Sequence, residues 1–421
     1  MSGRRIIMAV KNPYIFSVLS KFCIVLLGFA YTVCQSRYLG ASLKGDIAYI
    51  SSITQITSIV FGIGVHQAYP YFKKKTGTDV APIFTKLTLL MAVVYTVIAI
   101  ILTALIHEDY SLVAIFLLSP LLVYNRIVGY INMVEAPNKK NATELIADVV
   151  LLAAVIILWI TVPATFLFGV FLLVIKDFLL AVIYTYRLRK AILAPVKIEV
   201  RDMLEILKYG IYPMLALLMT TLNYRVDIIM LKQFVTSANV GIYSVGVMLA
   251  ERVWMIPDAL KEVMISNLAK GKRSDEVTFV IRICNTACIA VVIGIVLLGQ
   301  PFINLFFGKE YSSAYSVTVV ILIGVMFMVY YKLIGAFNIV EGKQKENFIY
   351  LVVSVICNMI LNLIFIPLFG NIGAAIASVA SYAVSAGLFI RKFVKDNLVR
   401  VKDILLINRG DLDRLKKVVR K

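Results

Sequence analysis

Twelve stretches of this chain are long and apolar enough to cross a lipid bilayer, and that one property decides what it can fold into. A spanning helix needs about 20 mostly apolar residues. Runs that meet this fall at 13–36, 44–69, 79–106, 110–134, 142–162, 164–187, 203–232, 238–266, 276–299, 312–338, 346–366 and 371–393. Hydrocarbon offers no hydrogen bonds, so every backbone N–H and C=O must be satisfied within the protein, by helices or by a closed barrel. These runs are continuously apolar rather than alternating, which selects helices. Hydrophobic residues make up 61% of the chain and the mean hydropathy is +0.89; a soluble domain carries roughly 45–50%. The first run begins at Tyr14, behind the basic start MSGRRIIMAVKNP, and has no small-residue cleavage site. It is expected to be helix 1 rather than a signal peptide.

Lys and Arg set the orientation. With the N-terminus in the cytoplasm, the internal loops and tail hold 29 of them and the external loops four, Arg37, Lys44, Lys232 and Lys309. Both termini are therefore expected on the cytoplasmic side of the cell membrane. The net charge of +19 is mainly this topology signal and does not call for nucleic acid. The tail, VKDILLINRGDLDRLKKVVRK, alternates apolar and basic residues at helical spacing and is expected to lie on the anionic inner leaflet.

A weak internal repeat divides the helices. RYLGASLKGDIAY after helix 1 resembles KQFVTSANVGIYS after helix 7, with Gly45 and Gly241 opening the next helices; VPATFLFGV echoes IPLFGNIGAA. A six-helix unit keeps its orientation when repeated, which predicts parallel repeats. The expected organisation is a bundle over 1–187, a cytoplasmic linker over 188–202, a second bundle over 203–393 and a basic tail over 394–421. Pro120, Pro213 and Pro257 are expected to interrupt helices 4, 7 and 8.

Charges at membrane depth mark function, because each costs at least ~2.5–3.5 kcal/mol on insertion scales. The stretch from Leu222 to Lys272 holds Arg225, Asp227, Glu251 and Arg252 well inside two helices. Lys21, Arg126 and Lys176 are also near mid-depth. These five cations could line a path for an anionic substrate, or lock helices together by pairing with carboxylates. Arg225 and Asp227 are two apart and face different sides of a regular helix. Asp177, Asp227 and Glu251 are candidate coupling or ion-pair carboxylates; Asp148, six residues into its helix, could face water. Lys208, Lys261, Arg282 and Lys332 lie nearer the cytoplasmic ends, where they can snorkel. Tyr209, Tyr212, Tyr224, Tyr243, Tyr330 and Tyr331 offer flat faces on which a ligand could stack, but anchoring and packing suffice to explain them. His66 and His107, near helix ends, carry no signal of a site. Cys23, Cys34, Cys284, Cys288 and Cys357 sit in or beside apolar runs and are expected to pack. No metal site or cofactor is expected.

The block Asn223-Tyr-Arg225-x-Asp227, Val240-Gly-Ile-Tyr-Ser244, Glu251 and Ile256-Pro257 resembles the multidrug/oligosaccharidyl-lipid/polysaccharide (MOP) exporter superfamily, specifically its Wzx-type polysaccharide flippases. Arg37-Tyr-Leu-Gly40, Phe307-Gly-Lys-Glu-Tyr311 and Phe369-Gly-Asn-Ile-Gly-Ala-Ala375 extend that resemblance over nearly the whole chain. It implies an all-α polytopic fold, with two six-helix bundles in a V around a central cavity. It also implies a substrate, an oligosaccharide on a polyprenyl (di)phosphate, flipped to the outer leaflet by alternating access for O-antigen, capsule or related lipopolysaccharide synthesis. Partners would be membrane lipids and the polymerase and glycosyltransferases of such a pathway. Related peptidoglycan-precursor flippases usually carry two extra C-terminal helices, where this chain has its basic tail.

Such a substrate requires a wet path, since each sugar hydroxyl moved unpartnered into hydrocarbon costs about 2–7 kcal/mol. Arginine suits the phosphates because its fork binds their oxygens bidentately. A drug or cation exporter of the same superfamily would favour carboxylates, but here the cations outnumber them. A polysaccharide polymerase would want a sizeable external loop, and a scaffold would not need charges at depth.

Overall fold

A computed structural model of the chain describes residues 13–106, 108–196, 199–269, 274–411 and 413–414. The expectations for the N-terminal Arg4, Arg5 and Lys11, for His107, and for the end of the tail lie outside the described residues. The described residues form helices α1 (Pro13–Gly62), α2 (Val65–Thr76), α3 (Ala81–Leu105), α4 (Tyr110–Glu135), α5 (Pro137–Thr161), α6 (Phe166–Leu193) and α7 (Val200–Phe234). These are followed by α8 (Ser237–Glu251), α9 (Met255–Ala269), α10 (Ser274–Phe306), α11 (Ala314–Val340) and α12 (Gln344–Asn397).

Ten helical stretches among the described residues are long and apolar enough to span a membrane, and the first and last, at 58 and 54 residues, far exceed one crossing. Each contains a turn. Gly40 (φ 69°, ψ 171°) breaks α1 and Gly370 (φ 55°, ψ −129°) breaks α12. A side chain would strain either conformation. Divided there, the described residues hold twelve apolar helical stretches of spanning length, as many as the apolar runs in the sequence. The turn after helix 1 lies at Gly40; Gly45 is already inside the following segment.

The prolines act less uniformly than expected. The chain stays helical through Pro120 and Pro213, because neighbouring groups in a bundle can absorb one lost bond. Helix 8 is interrupted just ahead of Pro257, by a 3-10 turn at Arg252–Trp254. Proline has no N–H to offer the carbonyl four residues back, which here is that of Val253. Helix 2 breaks where no proline stands, at Ile63 (φ 44°) and Gly64 (φ 63°).

Contacts divide the chain into two compact units, 1–221 and 222–421, and the division falls inside α7. In the first unit, one cluster packs Tyr69, Phe84, Leu87, Ile127, Ile131 and Tyr184 across α2, α3, α4 and α6. A second joins Leu39, Ile50, Leu118, Val155 and Leu172. In the second unit, small residues let helices meet closely. A side-chain carbon on Gly324 would lie 2.8 Å from Tyr382, and Ala374, Ala377, Ser378, Ser381 and Ser385 of α12 are all buried. Small residues are the usual contact surface between membrane helices. The outward faces are apolar instead: Leu105, Ile160, Leu167 and Leu297 are each at least 72% exposed. An apolar exterior of this extent is a lipid-facing surface.

The described part of the tail, up to Arg414, lies against the protein itself. It packs on α10: the Arg282 guanidinium donates twice to the Asp411 carboxylate, at 2.6 Å each, and once to the Asp403 carbonyl at 2.7 Å. Asn285 donates to the carbonyls of Ile404 and Leu405 at 3.1 and 3.0 Å, and Ile404 is fully buried. Arg414 stacks on Phe279, 4.0 Å from its ring, and pairs with Glu276. Arg282 is thus a clasp and does not snorkel.

Candidate functional site

The second unit holds a dense polar group in its interior. Helix α7 brings Asn223 and Asp227, α8 brings Tyr243, and α12 contributes Ser354, Asn358, Asn362, Ser378 and Ser381; all are at most 2% exposed. Asp227 accepts from the Tyr243 hydroxyl, from Ser378 Oγ at 3.2 Å and from the Ile228 amide at 2.8 Å. Ser354 Oγ donates to Asn223 Oδ1 at 3.2 Å, Asn358 donates to Ser381 Oγ at 3.0 Å, and Asn362 donates to Asn358 Oδ1 at 2.5 Å. Asn223 Nδ2, Asn362 Oδ1 and Ser385 Oγ remain buried without partners. Among the described residues no cation lies within ion-pair distance of Asp227. The group is thus a carboxyl held by neutral donors, with unpartnered polar atoms beside it among the described residues.

Arg225 does not join Asp227. It points the other way, to Glu251 of α8, 3.5 Å from its guanidinium. Beside them the 3-10 turn places Trp254 against Tyr224, with ring centroids 4.7 Å apart. Lys332 lies 5.0 Å from the Trp254 ring and pairs with Asp258 at 2.9 Å. Its side chain is 11% exposed, so Lys332 is an internal pairing residue rather than a snorkelling one. Lys261 shares Asp258 at 3.1 Å. Arg252 has no carboxylate within ion-pair distance among the described residues, and its Nε is buried without a partner.

In the first unit, Lys176 pairs with Asp148 at 2.5 Å. Asp148 is 4% exposed, so it faces the bundle rather than water. Asp177, expected as a neighbour of Lys176, takes a hydrogen bond from Asn125 at 3.1 Å instead. Arg126 donates to Ser58 Oγ at 2.8 Å, and its Nε is buried with no partner. The side chain as a whole is half-buried. Lys21 lies on an exposed stretch together with Leu19, Phe22 and Leu26.

The structure therefore sorts the residues expected to act together. Arg225 with Glu251, and Lys176 with Asp148, are neutralised pairs. Asp227 sits in its own network. Arg126 and Arg252 keep unused donors. Several members carried no weight in the sequence: Ser58, Ser354, Asn358, Asn362, Ser378, Trp254 and Asp258. One signal was present. Ser354, Asn358 and Asn362 recur every four residues, which puts a polar stripe on one face of an apolar helix. The tyrosines are mostly packing groups, with Tyr209 stacked on Tyr71 at 4.3 Å and Tyr331 tilted against Phe389 at 5.5 Å. Two have polar roles: Tyr243 donates to Asp227, and the Tyr330 hydroxyl accepts from Asn285 at 2.9 Å. All five cysteines are free, with Cys284 and Cys288 Sγ 4.0 Å apart.

Comparison with known proteins bears on both fold and family. A family described as "Polysaccharide biosynthesis protein" matches residues 36–316. A curated relative, the probable flippase AglR of Haloferax volcanii, is 28% identical over 179 residues, which is 40% of this chain and 37% of that protein. The match thus spans little more than a third of the relative's length. Among solved structures, lipid II flippase MurJ in an inward closed conformation superposes with a TM-score of 0.74 at 18% identity, covering 96% of this chain and 92% of that one. An inward-facing multidrug resistance MATE family transporter of the MOP superfamily gives 0.64 at 14% identity, covering 90% and 98%. A MOP superfamily transporter from Pyrococcus furiosus gives 0.62 at 14% identity, covering 91% and 96%. At these identities the likeness shows the fold, and that fold is the MOP fold.

Proposed function

Because this chain belongs to the polysaccharide biosynthesis protein family, we propose that it is a flippase that moves a saccharide linked to a polyprenyl phosphate or diphosphate across the cell membrane by alternating access. One observation carries this reading. Both units turn apolar faces outward and hold charged and hydrogen-bonding groups at membrane depth, where a scaffold has no use for them. Arg126 and Arg252 offer unused donors suited to a phosphate. The serines and asparagines around Asp227 are spare polarity of the kind a coupled proton or cation needs. The partly matching relative named as a probable flippase supports the same reading.

The lipid part of such a substrate gains nothing by leaving hydrocarbon; the head must be carried. Moving one negative charge outward gains about 2.3 kcal/mol per 100 mV with the inside negative, so the membrane potential favours export of a phosphorylated head. Asp227 is the group best placed to add ion coupling. The surface polymer served, whether O-antigen, capsule or another, would be assembled by polymerase and glycosyltransferases acting on the same lipid-linked unit.

The reading is tested in cells that depend on this chain. Depleting it is expected to leave a lipid-linked saccharide accumulating on the cytoplasmic leaflet, with surface polysaccharide lost. An unchanged lipid-linked pool with normal surface polysaccharide would overturn it.

A further inference from the structure

Arg126 differs from the other cations at membrane depth in what it touches. One guanidinium nitrogen donates to Ser58 Oγ at 2.8 Å. The Ser58 hydroxyl is fully buried and spends its own proton on the Gln55 carbonyl at 2.8 Å. Its oxygen is thereby fixed as an acceptor, which holds the guanidinium in place. The Arg126 Nε is buried with no partner, and among the described residues no carboxylate reaches the group. His66, 5% exposed, also has a buried Nδ1 without a partner. Its ring stands edge-on to Tyr130, with centroids 5.4 Å apart. Tyr130 follows Arg126 by one helical turn, so the two share a face of α4. His66 also belongs to the first turn of α2, a 12-residue helix, and a helix N-terminus favours negative charge. Gly62 closes the site from α1: a side-chain carbon there would lie 3.9 Å from Arg126 Cδ.

We infer that Arg126, Ser58 and His66 form an anion subsite inside the first unit that takes one phosphate group of a lipid-linked substrate. Arginine supplies the charge and the donor fork, Ser58 sets its orientation, and His66, in the tautomer that carries its proton on Nδ1, supplies a second donor. The orphaned nitrogens of Arg126 and His66 are the groups that the phosphate oxygens would satisfy. The subsite rests on the flippase reading but assigns the phosphate to a particular place. The paired Arg225 and Lys176 are not its principal ligands.

The test uses the full chain in detergent, with thermal unfolding and titration as readouts. The probes are farnesyl diphosphate, farnesyl monophosphate, farnesol and inorganic pyrophosphate. Both phosphorylated farnesyl compounds are expected to bind and raise the Tm, and farnesol and pyrophosphate to do neither at the same concentration. Arg126→Gln is expected to weaken binding by about tenfold or more, the scale of one charge-assisted hydrogen bond. Arg126→Lys should bind between the two, and Ser58→Ala should weaken binding a few-fold, reporting even if Arg126→Gln does not fold. If wild type does not prefer the phosphorylated compounds to farnesol, the flippase reading itself fails. If it does prefer them and Arg126→Gln and Ser58→Ala bind as tightly as wild type, the subsite is overturned while the flippase reading stands. Equal binding of pyrophosphate would overturn the assignment to a lipid-linked phosphate.

Discussion

A carboxyl enclosed among membrane helices survives only where hydrogen bonds replace the water it lost. Asp227 has three such donors, from Tyr243, Ser378 and its neighbour's amide. Removing one leaves the group short, at a cost of about 1–3 kcal/mol. Tyr243→Phe is therefore expected to lower the stability of the purified protein by that amount in thermal unfolding. Asp227→Asn should fold, because it keeps the shape, yet lose most transport by removing the titratable group; unchanged transport would exclude Asp227 from coupling. The sequence marked Asp227 as notable and could not say what held it, since Tyr243 and Ser378 are 16 and 151 residues away. It also joined Arg225 and Asp227 in one block. Their two-residue spacing sends them to opposite sides of α7, one to Glu251 and the other to the Asn–Ser network.

At the scale of elements, the breaks in the helices show what a sequence carries and what it hides. Gly40 and Gly370 stand at short polar turns within motifs quoted from the sequence, and both prove to be turns. The break in helix 2 was not legible, because it depends on another helix. A side-chain carbon on Gly64 would lie 2.1 Å from the carbonyl oxygen of Gly210 on α7, at a backbone φ of +63°. Gly64→Ala is expected to abolish folded protein or drastically cut its yield, as judged by size-exclusion profiles in detergent. The tail is the second instance. Its amphipathic pattern fits a membrane surface and a protein surface equally well, and the contact with Arg282 and Asn285 of α10 could not be read from it. The Asp411 carboxyl is held below the usual carboxylate range, chiefly by the hydrogen bonds from Arg282. Its folded-state pKa is depressed, so its stabilising effect is complete above the unfolded value of about 4 and fades as pH falls through the folded value. The clasp should stay closed from neutral pH down to mild acid and open only below that range. Asp411→Asn should open it at neutral pH, seen as faster tryptic cleavage at Arg409 and Arg414.

For the whole molecule, twelve crossings follow from apolar run lengths alone, because a bilayer fixes the length of every spanning element. Which interior charges are neutralised does not follow, because that depends on how neighbouring helices are rotated. Asp148 and Lys176 illustrate the point: they are 28 residues apart on consecutive helices, and only packing turns them together. The resulting molecule has apolar faces outward, neutralised pairs that tie helices and, among the described residues, a few cations with no carboxylate beside them. That arrangement predicts carriage of an anionic, hydroxyl-rich head across the membrane. The most direct measurement is the flipping rate of a fluorescent polyprenyl-diphosphate saccharide in proteoliposomes containing the full chain, set against empty vesicles. The protein should speed transfer of the saccharide between leaflets well above the empty-vesicle rate. A rate equal to that of empty vesicles, from protein shown to be folded and inserted, would contradict it.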